Sequence, residues 1–189
     1  MVIGRRVMLG GLSGLAAALA MPAPAAASVA VALPLAEMVR RSRHVLVGRP
    51  IDAQSRWETV GRRSRIVTYS LVRVEQGLED DTPAGEVLVR SLGGAVGDIG
   101  QIVHGEAVLA LGEPAAVFLS ELDPSVFAVT AMSQGHFPVA ADAAGVARLR
   151  AGVTSLELLA AAGGAVQRLQ GRSVPEAESL VRAERARAH

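Results

Sequence analysis

Apolar and polar positions change period several times along the chain, and each change predicts an element. Leu35, Met38 and Val39 fall at i, i+3 and i+4 behind Pro34, with Arg40 and Arg41 closing the run, which predicts a short helix over 34–42. His44 to Ile51 (HVLVGRPI) predicts a strand in which Gly48 marks a bulge or coil. Gln54 to Gly61 has no apolar period and reads as a polar connection that holds the only tryptophan, Trp57. Arg65 to Glu75 is the longest β-rich run and is apolar on both faces. A turn composition over Glu79 to Gly85 precedes a strand from Glu86 to Leu92, with Val87 and Val89 on one side.

Gly93 to Gly105 is rich in glycine and lacks a period, so a long loop with several positive-φ positions is expected there. Ala107 to Leu111 is a short apolar piece ended by Gly112, Glu113 and Pro114, and Ala115 to Leu119 (AAVFL) reads as a buried strand. Val126 to Met132 alternates, with Phe127, Val129 and Ala131 on one face. Gly135 opens another strand through Val139, and a turn at Ala143 to Gly145 leads to a strand from Val146 to Leu149. Two capping boxes, Thr154 with Glu157 and Ser173 with Glu176, predict two helices near the end of the chain. Short strands with no crossover helices between them predict a mainly β fold. The expected form is a small antiparallel β-barrel, with one helix before it and one or two packed outside after it.

Residues 1–27 read as an address. Arg5 and Arg6 precede an apolar Ala/Gly-rich run from Val7 to Ala20, then Pro22, Pro24 and the small residues Ala25 to Ala27. This layout predicts a cleaved export leader of twin-arginine type, with the cut after Ala27 and fallback sites at Ala30 and Ala32. The run is shorter than the roughly 20 residues a spanning helix needs. The expected location is therefore periplasmic or extracellular, with a barrel domain over 28–150 and a helical segment over 151–189.

Composition narrows the chemistry. Half the residues are hydrophobic and the formal net charge is +1, values that exclude a disordered chain and give no electrostatic case for nucleic acid. The chain has no cysteine, which excludes disulfides, thiolate metal sites and a cysteine nucleophile. No cofactor motif is present, and neither cofactor nor metal is expected.

The segments SRHVLVGRPIDAQSRW, RIVTYSLVRVEQGLED, EVLVRSLGG, GDIGQIVHG, LGEPAAVFLSE and MSQGHFPV, in that order, resemble a group of secreted bacterial proteins of unassigned activity. The strand pattern from His44 to about Leu122 also resembles the netrin-like domain of tissue inhibitors of metalloproteinases. The matching stretches are Val45 to Pro50, Val74 to Asp80, Val87 to Arg90 and Gly112 to Leu119. The resemblance implies an OB-type five-stranded barrel. It carries no inhibitory mechanism, because the family's cysteines are absent, including the N-terminal one that ligands the protease zinc. Glu79 and Asp80 stand where that family has Lys-Gly, and Pro50 replaces a β-branched residue.

Four sets of residues invite chemistry or binding. Gly94, Gly97 and Gly100 are spaced G-x-x-G-x-x-G, but no helix follows to face a phosphate, so the stretch with Asp98 and Gln101 reads as an exposed binding loop. Ala131 to Gly135 (AMSQG) resembles a nucleophile elbow with its first glycine lost. A serine hydrolase would use Ser133 with His136 or His104 and an orienting Asp98 or Asp142, whereas a plain turn is the alternative. His44, His104 and His136 lack metal-ligand spacing, and a periplasmic metal carrier is a further alternative. Arg56, Arg62, Arg63 and Arg65 form a basic patch around the first hairpin. The leading expectation is a non-catalytic module that binds a protein or glycan of the cell envelope through Gly93 to Gly105 and the region of Trp57.

Overall fold

The computed structural model describes residues 28–152, 156–159 and 164–188; the expected leader, with Arg5, Arg6, Ala25 and Ala27, lies outside them. The fold is mainly β with three helices. A strand β1 (Ser28–Val31) leads into helix α1 (Leu35–Arg41), followed by two long strands, β2 (His44–Val60) and β3 (Arg63–Gly77). Next come β4 (Glu86–Leu92), a small hairpin of β5 (Gly94–Val96) and β6 (Ile99–Gln101), then β7 (Ala115–Asp123) and β8 (Val126–Val129). A 3-10 turn at Met132–Gly135 precedes β9 (His136–Ala141), β10 (Ala147–Leu149) and β11 (Leu156–Leu159). Helices α2 (Ala165–Leu169) and α3 (Val174–Arg187) end the chain.

The main sheet has the order β10-β9-β7-β2-β3-β4-β8, and β7 pairs with β8 as well, so the pairings from β7 through β2, β3, β4 and β8 return to β7. The all-antiparallel expectation is corrected. β4 and β8 run parallel, as do β1 and β11, and the sheet is mixed. Strand β8 reaches β4 across a connection long enough to reverse its direction, a feature that local turn signals do not encode.

The apolar run of β7 is explained by burial on both of its faces. Phe118 joins Leu35, Met38, Val39, Phe137, Leu169 and Val181 in a core between sheet and helices. Val117 and Leu119 join Leu46, Val72, Val89, Phe127 and Val129 in a second core drawn mainly from strand residues. Strand β2 bends where the sequence predicts. Its register against β3 shifts at Val47/Gly48 and Pro50/Asp52, and a Cβ on Gly48 would lie 2.5 Å from Val72 Cγ1.

Helix α3 starts at the expected capping box, with Ser173 and Glu176 bonded reciprocally. It is tied to the sheet by Arg185, whose guanidinium donates to buried Glu79, while Glu79 also accepts the Val45 N–H at 2.8 Å. Three other expectations fail. Thr154 lies outside the described residues, and the helix predicted from it gives way to strand β11. The polar connection at Gln54 to Gly61 is the outer half of β2. Gly93 to Gly105 holds an ordered hairpin in place of a loop, although the expected positive-φ positions are there, at Gly93, Gly94, Gly97 and Gly105.

Candidate functional site

The predicted binding residues converge, and the reason is local. Gly94 has φ +124°, and a Cβ there would sit 2.2 Å from Thr68 Oγ1 and 2.5 Å from Ser55 Oγ. Only glycine lets the main chain lie this close to the β2–β3 ladder. Thr68 in turn donates to the Gly93 carbonyl at 2.7 Å and bonds Ser55 at 2.9 Å. Gln101 Oε1 accepts the Ile66 N–H at 2.9 Å, and Gly93 donates to the Ile66 carbonyl. Ile66 is the register partner of Trp57, so Gly94, Gly100 and Gln101 are pinned beside the strand that carries Trp57. Gly97, at φ +58°, and Asp98 form the exposed turn of the hairpin.

Between the hairpin and the inner face of β3 and β4 lies a groove of about 290 Å³. Its floor carries the hydroxyl residues Thr68, Ser70 and Ser91, together with Glu106, which the sequence reading missed. Burial pushes the Glu106 carboxyl up from the usual carboxylate range, opposed by main-chain N–H groups of Ala107 and Leu92 and by the charge of Arg90. The rim is aliphatic: Ile102 is 86% exposed and Val108 76%, with Ile99 and Leu111 also exposed on the same stretch of chain. Ile102 and Val108, exposed together on the groove rim, mark a contact surface more than a fold requirement.

The opposite face of the arm is charged and self-satisfied. The Arg56 guanidinium stacks 4.3 Å over the Tyr69 ring, and Tyr69 and Arg90 both donate to Glu58. Burial opposes ionisation of Glu58, but bonds from Arg56, Tyr69 and Arg90 hold its carboxyl below the usual range.

The hydrolase constellation does not assemble. Ser133 is buried and its Oγ makes no hydrogen bond, so neither His136 nor His104 activates it. The turn leads into β9 rather than a helix, which removes the elbow geometry. His136 is buried, and desolvation lowers its pKa to about 4. Asp142 is committed to a turn, accepting from Ala144 and Val146 main-chain N–H groups and from Arg148. What AMSQG does instead is hold the incoming chain. The Gln134 side chain accepts the Leu33 N–H and donates to the Val31 carbonyl, replacing a strand neighbour.

His44 Nδ1 bonds the Asp81 carbonyl and its ring meets Phe127 edge-on. Among the described residues no group of three or more His, Cys, Asp or Glu side chains is placed to hold a metal ion. No helix among them is long and apolar enough to cross a membrane. Comparisons with family models, with curated proteins and with solved structures return no match.

Proposed function

We propose that the chain is an exported, non-catalytic binding module that contacts a protein of the cell envelope through the groove and rim around hairpin β5–β6. The observation that carries this reading is the aliphatic rim, Ile102 and Val108, beside a glycine-pinned hairpin that itself exposes Ile99. A glycan site would need stacking aromatics, and among the described residues Trp57 is the only exposed one and does not line the groove. Exposed aliphatic side chains instead favour a protein partner.

The scaffold reading is an OB-type barrel. Counting β2, β3, β4, β7 and β8 as strands one to five, their pairing order is 1-2-3-5-4-1 with the third and fifth parallel. That order supports the netrin-like resemblance, under which the groove lined by Thr68, Ser70 and Ser91 would lie on the second and third strands, a face such barrels use for ligands.

The test is site-specific photo-crosslinking in the exporting cell. A crosslinker at Ile102 or Val108 should trap one envelope protein, and the same crosslinker at Val146, exposed on the far side of the sheet order, should not. Equal capture from all three positions, or capture of polysaccharide alone, would refute the protein-binding reading. Replacing Arg5 and Arg6 with Lys should retain the chain in the cytoplasm. A fluorophosphonate probe should leave Ser133 unlabelled.

A further inference from the structure

Beyond the groove, the outer half of β2 has an edge that no strand among the described residues covers. β7 pairs with β2 only from His44 to Gly48, whereas β3 follows β2 to Val60. The arm ends in a two-residue turn with Gly61 at φ +63° in its first central position, so Val60 and Arg63 are the pair that exchanges main-chain bonds. Counting back by twos, Glu58, Arg56 and Gln54 face β3, while Thr59, Trp57 and Ser55 turn N–H and C=O outward. Two observations fix this phase. Ile66, opposite Trp57, spends its N–H and carbonyl on Gln101 and Gly93, away from β2. Ala53, next on the outer edge, gives its N–H to the Asp52 side chain.

An open edge templates another strand, and the side chains along it select which strand and in what register. We propose that a second copy of this chain docks there, β2 against β2, antiparallel about a two-fold axis through Trp57. In this register Ser55 faces Thr59 of the second copy, and every outward main-chain group meets an outward group. On the charged face, Arg56 lies directly opposite Glu58 of the second copy, and the pair recurs by symmetry. Moving the axis one residue toward the base puts Arg56 opposite its own copy. Moving it one residue toward the turn puts Glu58 opposite its own copy. Both shifts keep the main-chain bonds but oppose like charges, so the charge pattern selects the Trp57-centred register. The same register covers Trp57, which is 46% exposed in the single chain. It also joins the two sheets edge to edge, placing both grooves on one continuous face.

The absence of cysteine makes the test direct. In the full-length chain under mild oxidation, Trp57→Cys should form a disulfide-linked dimer, because directly opposed residues of a bonded pair have Cα atoms about 5.5 Å apart. Thr59→Cys should not link to itself but should link when mixed with Ser55→Cys. Thr59→Pro removes an outward N–H without touching the bonds to β3, and Arg56→Glu places like charges across the axis. Each should weaken the dimer by about tenfold or more in sedimentation equilibrium while circular dichroism stays unchanged. A chain that is monomeric at every concentration overturns the assignment. So does linking by Thr59→Cys alone, or a dimer indifferent to both Thr59→Pro and Arg56→Glu. None of these outcomes bears on crosslinks from Ile102 or Val108, so this inference and the binding-face reading fail separately.

Discussion

The two halves of β2 belong to one strand and have different work. From His44 to Gly48 every residue is buried, β3 and β7 pair on either edge, and Val45 and Leu46 enter different cores. From Asp52 to Val60 no residue is fully buried, one edge has no strand among the described residues, and polar side chains occupy both faces. The inner half therefore supports the fold through burial on both sides. The outer half is held by a single hydrogen-bonded ladder and a glycine-pinned hairpin, which leaves its edge and the rim beside it available for contact. Stability and recognition are thus separated along one element.

The largest test of that separation is Leu46→Ala. Removing a fully buried side chain from the second core should cost about 2–5 kcal/mol in chemical denaturation. An effect below ~1 kcal/mol would place the support of the fold elsewhere.

Acid probes the inner region in a second way. His136, paired with Val117 of β7, has its pKa lowered to about 4 by desolvation, so the folded state favours the neutral ring. Stability from this group is complete above its unfolded value near 6.5 and is lost as pH falls from there toward about 4. The loss is about 3 kcal/mol at most. His136→Gln should flatten that portion of the pH–stability curve, and an unchanged slope would contradict the assignment.

Where the hairpin is pinned to the outer half, Gly94→Ala forces a Cβ against Thr68 and Ser55 at a positive φ. The expected cost is about 1–3 kcal/mol, accompanied by faster exchange of the Ile66 amide as the hairpin lifts. The smallest effect belongs to the outer half. Trp57→Ala should change stability by less than about 1 kcal/mol while weakening the dimer and leaving crosslinks from Ile102 and Val108 in place. A loss of several kcal/mol would make Trp57 a core residue and erase the contrast.

Sequence pattern revealed the inner half more readily than the outer. Runs such as AAVFL and EVLVRSL carry the burial of their strands openly, and the Ser173–Glu176 capping box marks α3 correctly. The outer half of β2 was illegible because none of its own residues is fully buried and polar side chains occupy both of its faces, so QSRWETV shows no apolar period. Thr154 and Glu157 suggest a helix, yet Leu156 to Leu159 pair with β1, a long-range contact outweighing a local signal. Of the site, Trp57 and the glycines were visible, since they are rare or conformationally special. Glu106, Ile102 and Val108 were hidden, because an exposed aliphatic residue in a loop resembles any other until its neighbours are placed. Ser133 drew attention for its flanking residues, although it is Gln134 that does the holding.

Amide hydrogen exchange along β2, at a dilution where the chain is monomeric, addresses the separation most directly. The account predicts that Leu46 and Val47 exchange only through global unfolding, while Arg56 and Glu58, although bonded to β3, exchange through opening of the arm at a much lower free energy. Uniform protection from His44 to Val60 would contradict it, because the arm would then share the stability of the core.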